Sequence, residues 1–120
     1  MKSDPWRKSS DELKERFAAA VAGIDGLEQR KMFGYPAGFI GGNLTTGLHQ
    51  ESWIVRLPED ARRERLDVGW SMFEPMPGRP MREYVALPDE VIADPDEARA
   101  WVERAATYVR GLPPKEPKKR

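Results

Sequence analysis

The sequence predicts an α+β fold of two layers, in which helices lie on one side of an antiparallel five-stranded sheet. Apolar residues recur at helical spacing near both ends of the chain, while the middle alternates apolar and polar residues as half-buried strands do. Short turns rich in glycine and proline separate the alternating segments, so neighbouring strands should run antiparallel. The predicted order is α-β-β-β-α-β-β-α.

The first helix begins within Ser9-Ser10-Asp11-Glu12. Ser9 together with Glu12 matches a capping box, in which the two side chains satisfy free N–H groups of the first turn. Glycines at positions 23 and 26 end the helix. Its apolar residues at helical spacing are Leu13, Phe17, Val21 and Ile24.

Three strands are predicted before the second helix, over residues 28–33, 44–49 and 53–57. Gly34 and Pro36 stop the first of them. A short apolar segment over residues 37–41 then leads into Gly41-Gly42-Asn43, a strong hairpin signal because tight turns need positive φ. Strict alternation over residues 44–49 puts Leu44, Thr46 and Leu48 on one face of the next strand. It puts Thr45, Gly47 and His49 on the other face.

A second, short helix begins at Pro58 and ends at Gly69, and two more strands follow over residues 70–73 and 82–87. The last helix begins at Asp94-Pro95-Asp96-Glu97, where Asp94 is the cap and Pro95 takes the first helical position. One apolar stripe runs along this helix through Ala98, Trp101, Val102, Ala105, Val109 and Leu112.

The composition fits one packed domain over residues 1–112, followed by a disordered basic tail over residues 113–120. The chain has 120 residues, of which 20 are basic and 20 acidic, and the formal net charge of zero argues against a nucleic-acid partner. The sequence contains no cysteine, which excludes disulfides and thiolate chemistry. No apolar run approaches the roughly 18 residues that a membrane-spanning helix needs. We therefore expect a cytoplasmic protein with no membrane partner.

Five residues form the candidate ligand- or partner-binding site. Arg79 lies in a Pro-Gly-Arg-Pro loop that would hold its guanidinium stiffly, as suits a carboxylate or phosphate partner. The alternative is an internal ion pair with Glu74 that fixes the loop. The full candidate set is Tyr35, His49, Arg79, Arg82 and Tyr84.

No catalytic set accompanies these residues. His49 is the only histidine, and no nucleophile or orienting group stands at a fixed spacing from it, so we interpret it as a polar sheet residue or a binding contact. Asp94, Asp96 and Glu97 fit a helix start better than a calcium loop. The glycines lack the lysine and the following helix of a phosphate loop. We expect no metal, no cofactor and no enzymatic activity.

Four segments of the chain form an ordered set: Arg30-Lys31-Met32-Phe33-Gly34 with Gly38, the stretch 73–85, Leu87-Pro88 and Asp94-Pro95. With this set the chain resembles the N-terminal domain of the TfoX/Sxy family over roughly residues 10–112. The family takes its name from regulators of natural competence, which are longer and carry an additional C-terminal domain; the resemblance here is to small stand-alone members. Where the commoner family pattern has a second glycine after Met-Phe-Gly, this chain has Tyr35-Pro36. The resemblance implies a two-layer α+β fold that often dimerises, and it carries over no catalytic residue.

The leading hypothesis is a non-enzymatic binding or regulatory module that acts through an unidentified protein partner and forms a homodimer. The homodimer is expected because helices on one side would leave the other face of the sheet open. One alternative is a small anionic-ligand-binding or weakly enzymatic protein, with a pocket near Tyr35, Arg79, Arg82 and Tyr84. Another is an accessory DNA-associated regulator that uses the basic tail.

Overall fold

The computed structural model describes residues 9–76 and 78–114, without the side chains of Met76, Arg79 and Pro80. The α+β class and the antiparallel sheet are confirmed within this part of the chain. The elements in order are α1 (Asp11–Val21), β1 (Glu28–Met32), β2 (Tyr35–Ile40), β3 (Asn43–His49), β4 (Ser52–Arg56), α2 (Glu59–Asp67), β5 (Ser71–Met76), β6 (Arg79–Ala86), α3 (Asp89–Ile92) and α4 (Pro95–Arg110).

The described strands form one sheet of six strands in the order β1-β2-β3-β4-β6-β5, so the predicted count of five is wrong. The additional strand is β2, which pairs with β1 so that Met32 lies opposite Tyr35. Phe33 and Gly34 form the tight turn between them, with φ of 56° and 83°. Positive φ at both central residues is the signature of a type I′ hairpin turn. The predicted order also lacks α3, a single turn of helix.

A β-bulge at Thr45 changes which face of the sheet β3 presents. Gly38 of β2 pairs with Thr46, but its neighbour Phe39 pairs with Leu44, so Thr45 is an extra residue in β3. An extra residue reverses the alternation of side chains beyond it. The prediction that Leu44 shares a face with Thr46 and Leu48 is therefore wrong for Leu44.

The two faces of the sheet carry separate cores. The inner face packs against residues from all four described helices, with Leu48, Trp53 and Val55 at its centre. Gly38 admits this packing, since a Cβ there would lie 2.8 Å from a methyl of Leu27. The outer face carries a smaller cluster made only of strand residues. Its buried members are Ala37, Leu44, Ile54, Phe73 and Tyr84.

The sheet curls so that the β5–β6 hairpin covers part of its outer face. β5 lies three strands away from β3, which in a flat sheet is about 14 Å. The rings of Phe73 in β5 and His49 in β3 nevertheless have centroids 5.5 Å apart. Curvature toward the outer face brings them together, so this face is partly closed by the chain itself.

The helix starts are confirmed in position, with one correction to a cap. Asp94 caps α4 and accepts hydrogen bonds from the backbone N–H groups of Asp96 and Glu97. In α1 the cap is Ser10, whose hydroxyl accepts from the N–H of Leu13. Ser9, the predicted cap, is buried and donates its hydroxyl to the carbonyl of Gln50 instead.

Arginines of α4 donate hydrogen bonds to backbone carbonyl groups just after the end of α1. The last turn of α1 contains no basic residue, and its carbonyl groups need partners. The guanidinium of Arg99 donates to the carbonyl of Ala22 at 2.8 Å. Arg110 donates to the carbonyl of Asp25 at 2.9 Å. The first and last long helices are therefore joined by hydrogen bonds as well as by apolar packing.

The described start of the predicted tail lies against the β2–β3 hairpin. The amide of Asn43 donates to the carbonyl of Pro113 at 3.0 Å. Residues 115–120 of that tail lie outside the described part of the chain. Among the described helices, none combines the length and apolar character needed to cross a bilayer.

Replacing Thr46 with valine should lower the free energy of unfolding by about 1–3 kcal/mol. The buried Thr46 hydroxyl accepts from the Trp53 indole N–H at 3.0 Å and donates to the Ile54 carbonyl at 2.7 Å. Valine keeps the shape but leaves two buried polar groups without partners. Urea unfolding measures the loss, with the exposed Thr107→Val as control. Equal effects from the two variants would contradict the argument.

Candidate functional site

An aromatic row crosses the outer face of the sheet. The Tyr35 and His49 rings, on neighbouring strands β2 and β3, have centroids 5.2 Å apart at an angle of 52°. Phe73 lies on the other side of His49 in an edge-on contact at 66°. The structure thus brings together two residues of the predicted site, Tyr35 and His49. Phe73 was not in that set, because its position over β3 depends on the curl of the sheet.

Burial beside these rings disfavours the charged form of the His49 imidazole. Desolvation lowers the pKa of His49 from its ordinary value of 6.5. Its contacts with Tyr35 and Phe73 are between rings. A general base in a catalytic site needs an orienting partner and a proton donor within reach. The surroundings of His49 therefore suit packing or contact with a partner better than catalysis.

Tyr84 is held by the protein itself. Its ring is buried on the outer face, and its hydroxyl donates to the carbonyl of Leu44 at 3.1 Å. Burial raises the pKa of Tyr84, although the positive charge of Arg56 opposes this. Arg56 lies 5.8 Å from the ring centroid and donates from Nε to the Glu83 carboxylate at 2.8 Å. These contacts link β3, β4 and β6 and give Tyr84 a structural role.

The two predicted arginines are placed differently. Arg79 begins β6, and its side chain lies outside the described part of the structure. Arg82 is exposed on the same strand and forms no ion pair with the described residues. Glu74 accepts a hydrogen bond from the backbone N–H of Gly78 at 2.6 Å, so its carboxylate holds the loop through the main chain.

The tip of the β1–β2 hairpin exposes a large apolar side chain. Phe33 is 71% exposed and adopts a positive φ of 56°. A bulky residue in this left-handed region is a genuine outlier, and such strain costs about 1–3 kcal/mol. From the sequence, Met32-Phe33-Gly34 is part of the family resemblance and is predicted to end a strand. The signal that could have identified this turn is a phenylalanine where a hairpin turn ordinarily carries asparagine before glycine.

Next to this tip, β1 is an edge of the sheet. Among the described strands it pairs only with β2, so none of them occupies the other row of its backbone N–H and C=O groups. Arg30 donates to the Glu28 carboxylate at 2.9 Å, and its guanidinium lies 5.7 Å from the Phe39 ring centroid. Both members of this ion pair are mostly exposed.

In the described residues, no group of three or more histidine, aspartate or glutamate side chains is placed to hold a metal ion. What the described site offers is aromatic and backbone surface, together with exposed charged pairs. Such surface suits recognition of another macromolecule.

Comparison with known proteins identifies one family. The family model of the TfoX N-terminal domain matches residues 19–108. This range begins within α1, contains all six described strands and ends within α4. No curated protein matches the chain.

The single histidine makes a direct titration possible. The pKa of His49 measured by proton NMR should lie below 6.5. Since the unfolded chain then takes up its proton first, stability should be fully present above the unfolded pKa and fall as the pH drops through the folded pKa. Urea unfolding should show this decline in the wild type and lose the His49 contribution in His49→Gln. A measured pKa at or above 6.5 would contradict the packing argument.

Proposed function

The chain belongs to the TfoX N-terminal domain family, and from this premise we propose that it is a non-enzymatic binding module that acts through protein–protein contacts. The observation that carries the proposal is the surface formed by Phe33 and the free edge of β1, which we call the hairpin-tip surface. Backbone strain of this kind clusters at functional sites. The Phe33 ring is 71% exposed, so the fold of its own chain buries little of it.

We further propose that the partner at the hairpin-tip surface is a second copy of this chain, so that the module is a homodimer. Two antiparallel β1 strands centred on Gln29 would place Glu28 opposite Arg30 of the second copy, and two-fold symmetry would form this pair twice. The two residues share a face of the strand, as direct cross-strand neighbours must. Each pair adds about 0.2–1 kcal/mol, and the open backbone groups add a new ladder of hydrogen bonds.

The other two hypotheses have less support. A pocket for a small anion near Tyr35 and Arg82 would have to do without the Tyr84 hydroxyl, which is already bonded to the Leu44 carbonyl. Regulation through DNA contact depends on the tail, of which residues 115–120 lie outside the described part of the chain. We place the module in the cytoplasm, which fits a sequence without cysteine.

Charge exchange across β1 tests the homodimer. Glu28→Arg or Arg30→Glu alone puts like charges opposite each other in the centred register, and should weaken association several-fold by the size of such cross-strand pairs. The double exchange restores opposite charges and should recover the dimer. Light scattering after size exclusion over a dilution series measures the mass. Glu59→Arg, an exposed acid on α2, is the control and should leave the dimer intact.

A wild-type mass near 13.7 kDa at every concentration would refute the homodimer. Failure of the double exchange to recover association would refute the centred register.

Phe33→Asn separates stability from binding at the hairpin-tip surface. Asparagine tolerates the left-handed conformation, so the free energy of unfolding at low protein concentration should rise by about 0.5–1 kcal/mol. The dimer should dissociate more readily, because the exposed ring is lost. Denaturant unfolding and light scattering give the two readings. A variant that is both less stable and fully associated would show that the ring serves the fold.

A further inference from the structure

Two methionines border the outer core, the small cluster of strand residues on the outer face of the sheet. The sequence contains five methionines and no cysteine, so every sulfur atom of the chain belongs to a methionine. Four of the five lie in β1, β5 and β6. Met32 from β1 and Met81 from β6 both pack, partly buried, against the outer core. Thioether side chains therefore form part of the packing on this face.

Met81 lies where the β5–β6 hairpin meets the outer core. It is paired with Phe73, the residue whose ring reaches His49. The register of β5 against β6 shifts between Met72 and Phe73, and again between Phe73 and Met76. Such irregularities interrupt the hydrogen-bonded ladder of a sheet. Side-chain packing around Met81 must therefore do more here than in a regular ladder to hold the hairpin against the outer face.

Met81 combines access to solvent with apolar surroundings. Its side chain is only partly buried, so a small oxidant in solution can reach the sulfur. The same side chain packs against apolar and aromatic residues, and a polar group that is buried there without a hydrogen-bond partner is costly. Oxidation turns a thioether into a polar sulfoxide, which disrupts cores built with methionine.

We propose that Met81 is a site of reversible oxidation, and that its sulfoxide releases the β5–β6 hairpin from the outer face of the sheet. The oxidant is hydrogen peroxide. The Met81 sulfur attacks one peroxide oxygen, so an S–O bond forms as the O–O bond breaks, and the sulfur loses two electrons. The other oxygen leaves as hydroxide, which takes the proton from the new S–OH group and becomes water. A dithiol reverses the step through the two methionine sulfoxide reductases, becoming a disulfide as the sulfoxide oxygen leaves in water.

The single histidine of the chain reports on the hairpin. The His49 ring contacts Phe73, so release of the hairpin should move the His49 ring signals in the proton NMR spectrum toward those of an unfolded chain. Release should also speed trypsin cleavage after the exposed Arg82 by about tenfold, because an unpartnered polar group opposes the closed state. Peroxide is added to the full-length chain, and peptide mass spectrometry locates the oxidised methionines. Treatment with both reductases and dithiothreitol should restore the two readings.

Substitutions separate the chemistry of the sulfur from the packing of the side chain. Met81→Leu keeps the apolar volume, so it should give the wild-type readings both before and after peroxide. Met81→Gln places a polar group in the same surroundings and should shift the His49 signals without peroxide. Met72→Gln is the matched control, because Met72 is 37% exposed and is paired with Val85 of the inner core. It should leave both readings unchanged, and circular dichroism checks that each variant folds.

Four results would overturn the proposal. The first is a Met81 that stays reduced after Met72 is fully oxidised, and the second is a Met81 sulfoxide that changes neither the His49 signals nor the cleavage rate. The third is a Met81→Leu variant that responds to peroxide as the wild type does, since another methionine would then be responsible. The fourth is release of the hairpin that the reductases do not reverse.

Discussion

The bulge at Thr45 is the constraint on which both cores depend. Without the extra residue, Leu44 and Leu48 would point to the same face of the sheet, and one of the two cores would lose a member. With it, β3 supplies Leu48 to the helical side and Leu44 to the outer side. The Thr46 hydroxyl, next along the strand, joins the Trp53 side chain to the backbone of β4. A short stretch of one strand therefore sets the register of the centre of the sheet.

The outer face illustrates how a small sheet can build a second core without a second layer of helices. The β5–β6 hairpin curls toward β3, so Phe73 reaches His49 while Tyr84 bonds to the β3 backbone. Because this face is closed from within, the surface that we propose for partner contact is the strand edge beside Phe33. The family match shows the kind of module that this chain is.

Sequence patterns predicted the helices better than the sheet, for physical reasons. The start of α4 follows from local chemistry, since Asp94 and Pro95 act within one turn, and its stripe follows from a single period. β2 was missed because Phe33-Gly34 forms a turn that phenylalanine rarely enters, and Pro36 resembles a strand stop. The bulge at Thr45 is determined by packing on both faces of the sheet, and no local sequence pattern indicates it.

In the candidate site, too, some contacts follow from local sequence patterns and others only from tertiary packing. Tyr35 and His49 meet because neighbouring strands place them side by side, as alternation could suggest. The role of Tyr84 depends on a contact between β6 and β3, which are not adjacent in the sheet. The contacts of Arg65 and Trp70 with the Trp101 ring depend on how α2 and the residue before β5 approach α4, which lies much further along the chain. Patterns read along the chain cannot supply such contacts, because they arise only from the tertiary fold.

The hydrogen bonds between Arg99 and the end of α1 have a consequence for synthesis on the ribosome. α4 contributes six of the buried residues on the helical side, and it is translated after every other described element. Until it emerges, the inner face of the nascent sheet and the apolar side of α1 lack the cover that these six residues provide. Contacts so distant in sequence form late, because the intervening chain must first be ordered. The nascent chain should therefore bind chaperones until α4 has left the exit tunnel.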